Sequence, residues 1–372
     1  MDELQKKRDS TYDFRIKTTA PDRDFTEKEK KDIEFIQAFQ RFKDYDVDKC
    51  FKEFSELGID KVALGFSGGA DSITLALKAQ NSADRYNIEL HLMHVHHGLI
   101  ATADEWVEHN LYFAQKHGFL IHILYVVIES SKKGIEEAAR TARYRAIIDK
   151  CRSLNISDVL LAHHIVDQAE TILFRLIRGT GILGMQGMPS VSTKEGIRFH
   201  RPLIHRRIDR KLLENANIKY IEDPSNNDPK FSRGSIRKHL SEAFSDIFWT
   251  WPENVGRFGQ YCEDVQDLLV ELAKIDALYV NLEFGIHRKK EAASFDLLHW
   301  RYISELRQKN LLRYILGELN QYNPNHRKMA EIVRQLQNVH QMGTDREIAI
   351  KHESVLITVE EGRVKFYQGN QW

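Results

Sequence analysis

The chain has 372 residues, of which 42% are hydrophobic and 29% are charged, a composition that excludes a disordered or fibrous protein. This length predicts about two domains. No apolar stretch approaches the roughly 18 residues of a membrane helix, and the charged start is unlike a targeting segment, so we predict a cytoplasmic protein with no membrane partner. Because the formal net charge is zero, nucleic-acid binding would require local basic patches.

The first part of the chain predicts an α/β domain. Residues 1–55 are strongly charged and are interpreted as an N-terminal extension. From Lys61, short apolar runs alternate with amphipathic segments, which is typical of βαβ units around a parallel sheet over residues 56–245. The predicted strands are Lys61–Phe66, Ile88–Val95, Phe119–Val127 and Asp158–Ala162. The predicted helices are Ile73–Ala83, Ala103–His117, Ile135–Leu154 and Asp167–Arg178.

The pattern changes beyond Trp251. A long helical stretch, Asn254–Tyr279, predicts a helical linker over residues 246–285. Residues 286–372 combine helical segments with short alternating strands, and they predict a small α+β C-terminal domain. Its predicted elements are Tyr302–Asn320, Asn325–Asn338, Val355–Val359 and Arg363–Phe366.

A glycine-containing loop follows the first predicted strand. Its sequence is Ser67-Gly68-Gly69-Ala70-Asp71-Ser72, and a helix is predicted directly after it. Two adjacent glycines allow backbone N–H groups to close around an anion, and the helix N-terminus adds positive partial charge. Asp71 would repel phosphate unless a cation lay between them, which indicates Mg²⁺. The sequence therefore predicts a phosphate-binding loop rather than a simple strand-to-helix turn.

This SGGxDS loop resembles that of the PP-loop family, whose members cleave ATP between the α- and β-phosphates and leave AMP on a substrate oxygen. The resemblance implies a Rossmann-like, adenine nucleotide alpha hydrolase-like domain that uses ATP and Mg²⁺ to adenylate a substrate. The loop alone does not name that substrate, because the family includes amide-forming synthetases, tRNA thiolases and tRNA lysidine synthetases.

Four further segments resemble the tRNA lysidine synthetases. They are His94 to Leu99, Gly134 to Tyr144, His163 to Thr171, and Glu222 to Asp228 followed by Arg233 and Arg237. The resemblance implies a carbon–nitrogen ligase that adenylates the wobble cytidine of the CAU anticodon in isoleucine tRNA. Free L-lysine then displaces AMP at C2 and forms lysidine. The C-terminal part resembles the first C-terminal domain of that family, as in its short form, and nothing in it resembles the second. The resemblance implies that residues 286–372 bind tRNA.

The resemblance also implies site residues. The candidate catalytic residues are Asp71, His163, Asp167, Glu170 and Arg143. The candidate ATP-binding residues are Ser67, Gly68, Gly69, Ala70, Asp71, Ser72 and His94, and Asp71 is also the candidate Mg²⁺ ligand. The candidates for binding tRNA or lysine are Arg140, Arg143, Arg206, Arg207, Arg233 and Arg237.

Spacing supports part of this set. His163, Asp167 and Glu170 lie at i, i+4 and i+7, which predicts one helix face at the sheet edge where open α/β folds bind ligands. Asp167 and Glu170 would suit either Mg²⁺ or a lysine ammonium group, and the spacing does not separate these roles. Arg140 and Arg143 lie at i and i+3 and would reach phosphates together, although surface arginines are the commoner interpretation of such a pair.

The segment from Arg198 to Lys211 is densely basic and is a candidate rim for the tRNA backbone. On charge alone, a solvated surface explains this segment better. The RNA-binding hypothesis for it therefore depends on the resemblance.

Val166 stands where the lysidine synthetases usually have the first of two successive acids. This departure leaves two alternatives, another PP-loop enzyme and a non-catalytic RNA-binding relative. The first is disfavoured because thiolases of this type generally need paired cysteines, and Cys50, Cys151 and Cys262 are far apart. The intact phosphate loop argues against the second. The oligomeric state is left open, with a homodimer as one alternative.

Overall fold

The computed structural model describes residues 12–14, 45–98, 102–128, 135–223, 236–285, 291–339 and 348–369. The chain divides into two compact units, Met1–Gln260 and Tyr261–Trp372. The division falls within one continuous helix, Trp251–Tyr279, whereas the sequence predicts a separate linker over residues 246–285. An amphipathic pattern predicts the helix but does not reveal where along it one compact unit ends.

The first unit is built on a seven-stranded sheet in the order β1-β4-β3-β2-β5-β7-β6. Its strands are β1 (Tyr12–Phe14), β2 (Lys61–Gly65), β3 (Glu89–His96), β4 (Leu120–Tyr125), β5 (Asp158–Leu160), β6 (Val191–Lys194) and β7 (Ile197–His200). The five central strands are parallel, and the edge strands β1 and β6 are antiparallel to their neighbours. The predicted α/β class with a parallel sheet is confirmed.

Burial explains which strands the sequence revealed. In the central strand β2, Val62, Ala63 and Leu64 are all fully buried. A parallel strand covered on both faces needs apolar side chains in both directions, so it reads as a continuous apolar run. Strand β6 was not predicted because its sequence, VSTK, is mostly exposed and lacks that signal.

Helices cover both faces of this sheet. They are α1 (Tyr45–Glu56), α2 (Ala70–Tyr86), α3 (Ala103–His117), α4 (Ile135–Ser153), α5 (Ile165–Ile177), α6 (Ile182–Met185), α7 (Lys211–Asn215), α8 (Glu242–Ile247) and α9 (Trp251–Tyr279). A π-helical turn, Arg237–Ser241, directly precedes α8. One apolar core joins the sheet to α1, α2 and α3, and another joins it to α4.

Helix α1 belongs to the first of these cores, although the sequence places residues 1–55 in an extension. Val47, Phe51 and Phe54 lie on one face of α1 and are buried. Asp48 of α1 also forms an ion pair with Arg85 of α2. A short helix inside a strongly charged segment gives little signal, because only three apolar positions face the core.

The second unit is a small α+β domain, as predicted. Its antiparallel sheet has the order β10-β11-β12-β9-β8. The strands are β8 (Glu283–Phe284), β9 (Glu291–Asp296), β10 (Ala349–His352), β11 (Val355–Glu360) and β12 (Arg363–Gln368), and the helices are α10 (Leu297–Tyr302), α11 (Glu305–Glu318) and α12 (His326–Gln337). The helices bury an apolar core around Trp300 against the sheet. In the described parts of both units, no helix is long and apolar enough to cross a membrane.

Candidate active site

The loop after β2 is held in shape by one of its own serines. Gly68 has a φ of +83°, and its N–H donates to Ser72 Oγ at 3.1 Å. The Ser72 hydroxyl donates in turn to the Gly69 carbonyl oxygen at 2.9 Å. The N–H of Ile221 donates to the Gly68 carbonyl oxygen at 2.9 Å. Because Ser72 is only 4% exposed, its hydroxyl shapes the loop, whereas the exposed Ser67 is the serine that a ligand can reach.

Helix α2 presents its N-terminus to the same loop. Gly69 is the N-cap residue, with extended backbone angles, and no side chain in the described part of the chain caps the helix. Uncapped N–H groups and the helix dipole together attract an anion. The loop and the helix start therefore have the backbone arrangement that a phosphate cradle requires, and phosphate binding by them stays a prediction.

We expect Gly68→Ala to destabilise the protein strongly, by about 2–4 kcal/mol. The residue requires a positive φ, and an added Cβ would lie 2.1 Å from Asn110 Oδ1 and 2.6 Å from Ile221 Cδ1. Gly58 is a matched control, because its φ is +70° but an added Cβ would meet nothing within 4 Å. Urea unfolding should therefore show a loss of only about 1 kcal/mol for Gly58→Ala. Equal losses in the two variants would contradict the close packing of the loop.

His94 supports the loop from behind. It is buried, and its Nδ1 lies 3.0 Å from the Phe66 carbonyl oxygen and 3.0 Å from Asn110 Nδ2. Burial lowers the pKa of His94 to about 4, so the imidazole is neutral at physiological pH and Nδ1–H can donate to the Phe66 carbonyl. His94 was predicted to bind ATP, and the structure places it against the end of β2.

Asp71 lies in the first turn of α2 between two basic side chains. Its Oδ2 is 3.5 Å from His164 Nε2, and both carboxylate oxygens are 3.4 Å from Arg210 Nη2. Burial raises the pKa of Asp71, but the hydrogen bond from His164 and the charges of His164 and Arg210 outweigh it and lower the pKa. The carboxylate is therefore ionised at neutral pH.

His164 joins this loop to helix α5. It is the N-cap residue of α5, and its Nδ1 accepts the Val166 N–H at 3.2 Å. Asp167 Oδ2 accepts the backbone N–H of His164 at 3.0 Å, which completes a capping box. With Nδ1 accepting, the proton of neutral His164 is on Nε2 and points towards Asp71.

The histidine assigned from sequence was therefore the wrong one for this helix face. His163 was predicted to share a face with Asp167 and Glu170, but α5 begins at Ile165, so His163 precedes the helix and is not on that face. The missed residue, His164, is the one that contacts Asp71. Its signal was available, because the residue immediately before an apolar-periodic helix is the capping position.

Arg237 binds both acids of α5. Its guanidinium donates to Asp167 Oδ1 at 3.1 Å and to the two carboxylate oxygens of Glu170 at 3.0 and 2.8 Å. Ser241 Oγ adds a hydrogen bond to Glu170, which is only 4% exposed. The bonds to Glu170 raise the pKa of Arg237. Arg237 was predicted to contact substrate, and the structure shows it neutralising two buried or partly buried carboxylates.

The capacity for a metal ion rests on Asp71. Within the described residues, no group of three or more histidine, cysteine or acidic side chains is arranged to hold a metal. Mg²⁺ usually takes one or two protein carboxylates together with substrate phosphates, rather than a full protein cage. A single ionised carboxylate at the phosphate cradle fits that mode of binding.

Two other predicted segments meet beside the loop. Arg143 of α4 and Asp223 both act on His97, which follows β3. Partial burial and the charge of Arg143 lower the pKa of His97, whereas Asp223 raises it. Asp223 lies two residues after Ile221, whose N–H binds the phosphate loop. The structure thus gathers residues from three of the matched segments near one loop.

The predicted basic rim is largely neutralised by the protein itself. Arg198 and His200 each lie 2.7 Å from the buried carboxylate of Asp158. Arg206 pairs with Asp46. Arg207 pairs with Glu253 and lies over the Trp249 ring at 4.8 Å. RNA binding by Arg206 and Arg207 stays a prediction, and Arg233 lies outside the described residues.

Comparison with known proteins shows the class of protein to which this chain belongs. A family model described as a PP-loop domain matches residues 43–244, which is more than half of the chain. A tRNA(Ile)-lysidine synthase from Bordetella bronchiseptica is 34% identical over 321 residues, with 82% of this chain and 88% of the relative covered. Another from Pseudomonas aeruginosa is 36% identical over 274 residues, with 69% and 58% covered. The chain belongs to the tRNA(Ile)-lysidine synthase family of PP-loop proteins.

Among solved structures, the U34-tRNA thiolase from Methanococcus maripaludis is similar with a TM-score of 0.46 and 16% identity. That similarity covers 63% of this chain and 79% of the thiolase.

Proposed function

We propose that this protein joins L-lysine to the wobble cytidine of an isoleucine tRNA with a CAU anticodon. ATP binds at the loop from Ser67 to Ser72, and the C2 oxygen of the cytidine attacks the α-phosphorus. The P–O bond to the leaving group breaks and pyrophosphate departs. The lysine side-chain amine then attacks C2, the C–O bond to AMP breaks, and the amine loses a proton. The observation that carries this proposal is the position of Asp71 in the predicted phosphate cradle, where His164 Nε2 lies 3.5 Å from Asp71 Oδ2 and 3.6 Å from Asp167 Oδ2 of α5.

Asp71 is the residue that would hold Mg²⁺ with the ATP phosphates. The metal would supply charge neutralisation for the departing pyrophosphate. Arg210, which contacts Asp71, is placed to interact with the same phosphates. The catalytic contribution of these residues is positioning and electrostatic stabilisation of negative charge.

The acids of α5 are proposed to receive the lysine ammonium group. Asp167 is more exposed than Glu170, with 23% against 5% of the side chain accessible, so Asp167 is the carboxylate that an incoming amine meets. Arg237 holds both carboxylates in place through its hydrogen bonds. Arg140 and Arg143 on α4 are proposed to contact the tRNA.

The remaining alternative is a relative that kept the fold and lost the reaction, and Val166 is the observation that favours it. The Val166 N–H takes part in the cap of α5, so the backbone there is fixed by His164 whichever side chain is present. We therefore expect Val166→Asp to change lysidine formation by less than about tenfold. Single-turnover assays of the two proteins test this expectation. A much larger gain in the variant would favour the degenerate relative.

The proposal is tested most cheaply by pyrophosphate release. The protein is mixed with ATP and either an isoleucine tRNA transcript with a CAU anticodon or the same transcript with its wobble cytidine replaced by uridine. We expect release only with the cytidine transcript. The C4 amino group of cytosine donates electron density to the C2 oxygen and makes it nucleophilic, whereas uracil has a carbonyl at C4. Equal release with both transcripts, or none with either, would refute the proposed substrate.

A further inference from the structure

The basic side chains of the first unit form two groups with different surroundings. In the predicted rim, Arg206 and Arg207 each pair with a carboxylate. Four other cations lie around Tyr144 on α4 and on the β6–β7 hairpin: Arg140, Arg143, Lys194 and Arg201. Across the described parts of the chain, none of these four lies within ion-pairing distance of a carboxylate. Among the described residues of the two groups, the cations without a paired carboxylate are therefore those of the second group.

Two of these cations lie over the Tyr144 ring. The Arg140 guanidinium carbon lies 5.4 Å from the centre of the Tyr144 ring, and Lys194 Nζ lies 5.1 Å from it. The ring itself packs edge-on against Phe199 at 5.0 Å between ring centres. Attraction to the ring offsets part of the repulsion between two like charges. A phosphate group bridging the two cations would remove that repulsion.

Arg201 adds a further positive charge near Tyr144 and Arg140. It is 6% exposed and donates to the Pro189 carbonyl oxygen at 2.9 Å and to Ser192 Oγ at 3.1 Å. Its Nε has no hydrogen-bond partner in the described residues. Burial lowers the pKa of Arg201, and the neighbouring Arg140 lowers it further. Neutral oxygens satisfy part of this guanidinium but do not cancel its charge.

Arg143 and Asp223 connect this group to the phosphate loop. Arg143 interacts electrostatically with both Asp223 and Arg140. Asp223 lies two residues after Ile221, whose N–H binds Gly68, and Arg140 lies over the same ring as Lys194.

We propose that Arg140, Tyr144 and Lys194 bind the tRNA phosphate backbone flanking the reactive nucleotide. This inference rests on the proposed function, which makes tRNA the substrate. The contribution of Lys194 is charge, and Tyr144 contacts both Lys194 and Arg140.

The test is tRNA binding by Lys194→Gln, measured by fluorescence anisotropy with a labelled isoleucine tRNA transcript at about 50 to 200 mM salt. We expect the Kd to rise by about threefold to tenfold. The slope of the log association constant against log salt should become shallower by about one. Lys194→Arg should retain both values, because it keeps the charge. Lys116→Gln, an exposed lysine near the end of α3, is the matched control and should bind as the parent protein does.

An unchanged Kd and salt slope in Lys194→Gln would overturn the inference, as would a parent protein that binds no tRNA. The proposed function fails separately. If the protein binds tRNA through Lys194 but forms no lysidine, the binding surface is supported and the proposed reaction is refuted. If the protein forms lysidine and Lys194→Gln binds tRNA as the parent does, the proposed reaction is supported and the binding surface is refuted.

Discussion

Arg237→Ala is expected to lower lysidine formation by about a hundredfold or more. The substitution leaves Glu170, which is 4% exposed, without the guanidinium that holds both of its oxygens. Breaking a buried pair in this way costs about 3–5 kcal/mol, and because the Arg237 side chain is 37% exposed we expect about 2 kcal/mol of lost stability.

A second variant separates the loss of stability from the loss of activity. Glu170→Gln combined with Arg237→Gln removes the charge from both partners, so urea unfolding should show most of the stability recovered. Lysine incorporation should stay low, because the site then lacks an acid and its positioning group. Arg257→Ala, which removes an exposed arginine of α9, is the control and should change stability by less than about 0.5 kcal/mol. Full activity in Arg237→Ala would remove this residue from the site.

Asp71→Asn is expected to reduce ATP-dependent pyrophosphate release by about a hundredfold or more. The variant keeps the size of the side chain and removes the charge that we propose holds Mg²⁺. It should also lower the pKa of His164, since the hydrogen bond and charge of Asp71 help to raise that pKa against the effect of burial. Single-turnover pyrophosphate release measures the first effect, and NMR titration of the imidazole measures the second.

The matched control for this variant is Asp84→Asn, on the same helix. Asp84 is exposed and lies near the other end of α2. Its replacement should leave pyrophosphate release within about twofold of the parent value. Near-normal release by Asp71→Asn, with its folding intact, would exclude a metal-related role for the aspartate.

In the first unit, the strands that the sequence predicted are those buried on both faces. Strand β2 is buried on both faces, so its apolar run is unambiguous. Helix α1 was missed because its three buried residues are surrounded by charged ones. Strand β6 was missed because its side chains are mostly exposed. Sequence analysis detects an element by its run of buried apolar residues, and an element at the edge of the sheet has few of them.

The candidate site was predictable in composition and less so in contacts. The phosphate loop and the acids of α5 followed from spacing and from the family resemblance. The partner of Glu170 did not, because Arg237 lies 67 residues further along the chain. The choice between His163 and His164 depended on where the helix begins, and the capping position directly before Ile165 was the signal that identifies His164. The ion pair between Arg206 and Asp46 was likewise not predictable, because the two residues are distant in sequence.

Incorporation of labelled lysine into an isoleucine tRNA transcript with a CAU anticodon tests the central claim most directly. With ATP and Mg²⁺ in a single turnover, the parent protein should form one lysidine per tRNA, and Asp71→Asn should form almost none. Omission of ATP should also abolish incorporation. An inactive parent protein, with activity appearing only when Val166→Asp is introduced, would contradict the account and identify the chain as a relative that has lost the reaction.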